Sequence, residues 1–180
     1  NSEQWRSLAE HAAEKGLVFL SSPFSVEAVH LLDSLGVPAW KIGSGEINNP
    51  LLFKALALTG KPILLSTGMS SWKEVRAAVE KIKEYGNSFA VMQCTSKYPT
   101  PLSDAGLNII DEYRNSFNVP VGLSDHSGTI FPSLAAMARG ADIIEVHVAF
   151  HRAMFGPDVS SSVTIEELSL ITEARDAFFE

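Results

Sequence analysis

Pro120-Val121-Gly122-Leu123-Ser124 runs straight into Asp125-His126, and Asp142-Ile143-Ile144-Glu145-Val146-His147 repeats the pattern one unit later. Each is a short run, apolar on consecutive positions, that ends in residues able to do chemistry. Consecutive apolar positions, in place of alternation, are what a parallel strand covered on both faces requires. Working outward, the same device recurs at Leu17–Ser22, Ala39–Gly43, Pro62–Ser66 and Phe89–Cys94. The six candidate strands start 22 to 31 residues apart, the span of a strand, a helix and two loops.

Helix signals fill the intervals. A first helix is expected from Trp5 to Lys15. Ser25 is placed to cap a helix whose apolar positions Val26, Val29, Leu32 and Leu35 keep a 3.6 period, with Gly36 ending it. Asn49-Pro50 puts proline at a first helical position. Ser71 with Glu74, and Thr164 with Glu167, read as capping boxes. Strand–helix units in tandem mean an α/β fold with a parallel sheet.

The strand ends choose between an open sheet and a barrel. They carry Ser21-Ser22, Lys41 with Ser44 and Glu46, Ser66-Thr67, Gln93 to Tyr98, Ser124 to His126, and Glu145 with His147. A barrel directs every strand's C-terminal end to one mouth, where such enzymes keep their chemistry, whereas an open sheet needs such ends only beside its switch point. The expected fold is therefore a (β/α)8 barrel. A complete barrel takes about 250 residues. These 180 residues supply six units and lead with a helix, so the reading is a single domain over 1–180 lacking the first two strands.

Composition narrows the functions. With 46% hydrophobic and 19% charged residues the chain can bury a sizeable core. Fourteen basic against 21 acidic residues leave a formal charge of −7, without the basic footprint that nucleic acid selects. No apolar run approaches the ~18 residues of a membrane span, and no charged n-region followed by an apolar stretch opens these residues, so secretion is not expected. One cysteine, Cys94, cannot form an internal disulfide, so a cytoplasmic home is expected.

His126 and His147 end consecutive candidate strands. Lone histidines at strand ends commonly serve packing. Two on strands about 4.8 Å apart can also reach one divalent ion, with water and substrate oxygens completing its shell. Glu145 stands two positions before His147, on the same side of the strand, as a charged partner or a general base. Lys41 lies inside an otherwise apolar strand, expensive to bury unless it meets an anion or leaves at the barrel mouth. Gly43-Ser44-Gly45 and Ser66-Thr67-Gly68 are turn residues that can also bring amides and hydroxyls to an anion. Cys94 has no local base and reads as a small core residue. Asp158 sits in a Gly-Pro-Asp turn, where aspartate is common for conformational reasons.

The ordered motifs Ser-Ser-Pro-Phe, Lys-Ile-Gly-Ser-Gly-Glu, Leu-Ser-Thr-Gly-Met, Gln-Cys-Thr-Ser-x-Tyr-Pro, Gly-x-Ser-Asp-His, Glu-x-His and Gly-Pro-Asp resemble the sialic acid synthase family over about Leu17 to Leu170. The resemblance implies a phosphoenolpyruvate-dependent synthase acting on an acylated amino sugar with Mn²⁺, Mg²⁺ or a similar ion. It implies a domain-swapped homodimer with a C-terminal antifreeze-like domain, which is expected to lie outside these 180 residues. It further implies that His126 and His147 ligate the metal, and that Lys41, Ser22, Ser44, Ser66, Ser96 and Ser124 hold phosphoenolpyruvate. Tyr98, Glu145 and Asp158 contact the sugar or the attacking water by the same carry-over, and Glu46 faces the same mouth. Ser96 stands where many members of the family have asparagine, an altered phosphate contact, whereas departures at Val146, Val159 and Ala149–Arg152 fall around the sugar end and suggest an acceptor other than N-acetylmannosamine. A chain lacking two strands and a domain is expected to be inactive alone. The rival expectations are a Schiff-base aldolase using Lys41 and a non-catalytic sugar-phosphate-binding protein of polysaccharide assembly.

Overall fold

The computed structural model describes residues 1–179 as two compact units, one formed by 1–65 with 70–89 and the other by 66–69 with the chain from Ala90 onward.

The first unit begins with α1 (Ser2–Glu14), closed at its start by an Asn1–Gln4 capping box and burying none of its residues. α2 (Val26–Ser34) is capped by Ser25, whose hydroxyl accepts from the Ala28 amide, and turns Val29 and Leu32 inward. β1 (Trp40–Ile42) pairs in parallel with β2 (Ile63–Ser66), Lys41 lying opposite Leu64. Between them, α3 (Pro50–Ala57) starts on an Asn49 cap with proline in its first turn. α4 (Trp72–Tyr85) carries the expected Ser71–Glu74 box and buries Val75, Ala78, Val79 and Ile82. The core centres on Trp40, fully buried, whose indole N–H donates to the Thr59 hydroxyl at 2.7 Å. That bond satisfies the one polar atom of a side chain otherwise held by apolar burial.

In the second unit β3 (Phe89–Cys94), β4 (Val121–Asp125), β5 (Ile143–Val148) and β6 (Ser162–Val163) pair successively, all in parallel. α5 (Asn108–Phe117), α6 (Phe131–Ala138) and α7 (Ile165–Phe179) supply the helices. β4 is buried along its whole length, whereas β5 is only partly buried.

Six strands form, but not the expected six. Leu17–Ser22 is not a strand: it pairs with no strand among the described residues and leaves Leu17 and Val18 66% and 72% exposed. Apolar patterning alone does not satisfy a strand's backbone groups, which need a neighbour. Ser162–Val163 takes its place, too short to carry a periodic signal, and pairs with His147 and Val148.

Candidate active site

The site in the second unit follows from register. Cys94 lies opposite Ser124, and Ser124 opposite Glu145, so three adjacent strands align these residues in one row. His126 and His147 each stand two positions further along, and the two-residue period of a strand points them to the same side as Ser124 and Glu145. The imidazoles meet edge to face with centroids 5.2 Å apart.

Each ring is held by defined partners. His126 Nδ1 donates to the Thr95 carbonyl at 3.0 Å and lies 3.9 Å from Cys94 Sγ. A carbonyl only accepts, so the neutral ring carries its hydrogen on Nδ1, leaving Nε2 as an acceptor facing the Tyr98 hydroxyl at 3.2 Å. Tyr98 stacks on His126 at 4.3 Å between centroids and meets the His147 ring at 5.8 Å. His147 Nδ1 lies 3.8 Å from Asp158 Oδ2. The Ser124 hydroxyl donates to Glu145 Oε1 at 2.7 Å. The cysteine read as a small core residue is indeed 6% exposed, but it also borders His126.

Electrostatics follow the packing. Burial pushes the Tyr98 phenol up, with the negative groups Cys94, Asp158 and Glu145 acting in the same direction, so Tyr98 remains a proton donor. Burial pushes the His126 imidazolium down, yet hydrogen bonds to Cys94 and Thr95 and the charges of Cys94 and Asp125 outweigh it, and the net direction is up. Burial raises the Asp125 carboxyl despite hydrogen bonds from Ser127, whose hydroxyl donates to it at 2.7 Å.

Close approach explains two glycines. A Cβ on Gly68 would stand 2.6 Å from Ser96 Oγ and 2.7 Å from Cys94 Sγ. Gly128 combines φ +69° with a Cβ position 2.4 Å from the Ser160 carbonyl, which locks the His126 loop against the turn after Asp158. The Arg152 guanidinium ties the same loop to α7, reaching the Gly128 carbonyl at 2.9 Å and both Glu167 oxygens at 2.6 Å.

The structure thus gathers Tyr98, Ser124, His126, Glu145, His147 and Asp158, and sets Ser96 beside Gly68. Ser66 ends β2 with a buried hydroxyl that has no hydrogen-bond partner among the described residues. In the first unit Lys41 lies on β1, and Ser44 and Glu46 form the single helical turn that follows; the Glu46 carboxylate accepts from Asn49 Nδ2 at 2.8 Å. Ser22 is half-buried in the segment before α2. Thr95, Thr100 and Arg152 were not named as site residues: Thr95 acts through its carbonyl, and the Thr100 hydroxyl acts on backbone carbonyls that only the fold brings to it.

This arrangement is a strand-end site of the kind a (β/α) barrel builds, and known proteins agree. The chain resembles the sialic acid synthetase of Leptospira borgpetersenii, crystallised with citrate, at TM-score 0.94 and 33% identity over 99% of this chain and 62% of that one. It is 37% identical to the N,N'-diacetyllegionaminic acid synthase of Campylobacter jejuni over 92% of this chain and 51% of the relative. It is 36% identical to the human N-acetylneuraminate-9-phosphate synthase over 93% and 47%. The fold is part of a (β/α)8 barrel. The NeuB family model matches residues 1–178, and the chain belongs to that family. It spans about half the length of the curated relatives it matches. Among the described residues no helix is long and apolar enough to cross a membrane.

Proposed function

We propose that the protein is a synthase that joins phosphoenolpyruvate to an acylated amino sugar, giving a nonulosonic acid and inorganic phosphate. One observation carries the reading: two imidazoles at 5.2 Å stand beyond a Ser124–Glu145 hydrogen bond on adjacent strands. The names of the relatives, which make sialic and legionaminic acids, support the product class.

A divalent ion fits this donor set. The Thr95 carbonyl holds His126 in the tautomer with its lone pair on Nε2, where a cation would take the place of the Tyr98 hydroxyl, and the His147 ring lies beside it. Among the described residues no cluster of three or more His, Cys, Asp or Glu is arranged for a metal, so the chain offers two imidazoles and leaves other positions to water and substrate. When bound, Mn²⁺ or a similar ion supplies Lewis acidity toward the sugar's carbonyl oxygen.

The chain's own groups position and move protons. C3 of the enol attacks the open-chain aldehyde carbon, forming the carbon–carbon bond while the aldehyde oxygen takes a proton to become a hydroxyl. Water then adds at C2 and gives up a proton to Glu145, whose carboxylate is oriented by the Ser124 hydroxyl. The C2–O bond then breaks with its pair going to phosphate while the new C2 hydroxyl gives up its proton to leave a ketone. The two protons of water thus balance the one taken by the aldehyde oxygen and the one carried off by inorganic phosphate. Tyr98, kept protonated, is a donor beside the His126 ring. Asp158 accompanies His147. Lys41, Ser22, Ser44, Ser66 and Ser96 are proposed to grip the phosphate and carboxylate of phosphoenolpyruvate, and the unpartnered buried hydroxyl of Ser66 supports this for a group awaiting a ligand. A homodimer is the proposed assembly.

The test incubates the full-length protein with phosphoenolpyruvate, Mn²⁺ and a panel of acylated hexosamines, reading phosphate and product. His126→Ala is expected to lose metal-dependent turnover, and chelation to abolish it in the parent, with circular dichroism unchanged. Turnover that ignores both overturns the reading. Borohydride trapping on Lys41 would replace it with Schiff-base chemistry.

A further inference from the structure

The segment from Thr95 to Thr100 leaves β3 and folds back against His126. Three donors converge on the Thr95 carbonyl: the Lys97 amide at 2.9 Å, the Thr100 hydroxyl at 3.1 Å and His126 Nδ1 at 3.0 Å. The Thr100 hydroxyl also lies 2.9 Å from the Lys97 carbonyl, so its single hydrogen is shared between two carbonyls of the segment that leads into Tyr98. Its backbone N–H donates to the His126 carbonyl at 2.9 Å. Thr100 is 5% exposed, and the Thr95 hydroxyl ties the far side of the turn to the Asp104 carbonyl at 2.7 Å. Thr100 is therefore bonded at once to the segment that faces both ring nitrogens of His126 and to the backbone of His126 itself.

We propose that Thr100 is a positioning residue that holds the 95–100 turn on His126, so that the Thr95 carbonyl fixes the Nδ1–H tautomer and Nε2 faces the site. The physical reason is economy of alternatives. A ring whose Nδ1 meets a fixed carbonyl has one neutral tautomer that satisfies it, whereas a turn free to retract leaves both tautomers equally solvated. The catalytic consequence rests on the proposed synthase reading; the tautomer does not.

The experiment compares the parent with Thr100→Val, which removes the hydroxyl and keeps shape and backbone donor, and with Thr100→Ser, which restores the hydroxyl. Long-range ¹H–¹⁵N correlation of the imidazoles, above the imidazole titration range, reads the His126 tautomer without metal or substrate. The parent and the serine variant are expected to show protonated Nδ1, and the valine variant a mixture of both tautomers. Mn²⁺ alone, titrated by paramagnetic resonance of the free ion, is expected to bind about 10-fold more weakly to the valine variant. A valine variant with the parent's tautomer pattern overturns the inference, even if it melts at a lower temperature. If valine prevents folding, Thr100→Cys against Thr100→Ser makes the same comparison, and identical spectra there overturn it equally. A tautomer switch in a protein that makes no nonulosonic acid would leave Thr100 standing and remove the synthase reading.

Discussion

Gly68 occupies a place where a methyl group does not fit. Its Cβ would lie 3.0 Å from the Cys94 carbonyl as well as against Cys94 Sγ, and neither the buried backbone nor a 6% exposed thiol can swing aside as the Ser96 hydroxyl can. Gly68→Ala is expected to cost about 1–3 kcal/mol, read by urea denaturation. An unchanged midpoint would show that the end of β3 yields. Residues at this scale divide by how they act. Ser124, His126, Glu145 and His147 were legible because a strand's two-residue period and adjacent strand ends suffice to bring them together. Thr95 and Thr100 were not, because Thr95 works through its carbonyl and the Thr100 hydroxyl acts on backbone carbonyls that only the folded turn brings to it. Cys94 was half legible: its burial followed from its apolar surroundings, its contact with His126 only from register.

Elements show the same division. The Ser71–Glu74 and Thr164–Glu167 boxes are local in sequence and formed as expected, the Thr164 amide donating to Glu167 at 2.8 Å. Glu167 has a second partner, Arg152, fifteen residues away, which no local pattern announces. Hydrogen bonds from Arg152 and then from the Thr164 amide hold the Glu167 carboxyl below the usual carboxylate range. The folded chain therefore binds that proton more weakly than the unfolded chain does. The resulting stability is full above the usual carboxylate range and is lost as pH falls through the depressed value. Glu167→Gln is expected to be about 1 kcal/mol less stable at neutral pH, with the gap closing as the medium is acidified. Thermal melts across pH check this; a gap that persists undiminished into strong acid contradicts it. Leu17–Ser22 marks the limit of patterning, since a strand is a property of a pair and only one member was written in that run.

At the scale of the molecule, parallel β/α order and strand-end chemistry were enough to read a partial (β/α)8 barrel, and the structure of a family relative at TM-score 0.94 agrees. Stability within the second unit is uneven. β4 is buried and flanked by β3 and β5, whereas β5 is half-buried, and over 143–146 it pairs with β4 alone among the described residues. Hydrogen exchange is expected to be slowest for amides of 121–125 and measurably faster for those of 143–146 that point away from β4. Equal protection would mean that the outer edge of β5 is covered in solution. The strand register also has a consequence for length. Losing one residue between Ser124 and His126, or between Glu145 and His147, would turn one imidazole to the opposite side of the sheet. Extra residues between Ala149 and Phe155 would leave the ring pair where it is. Length changes within the two tripeptides are thus excluded, whereas that loop can vary without disturbing the ring pair.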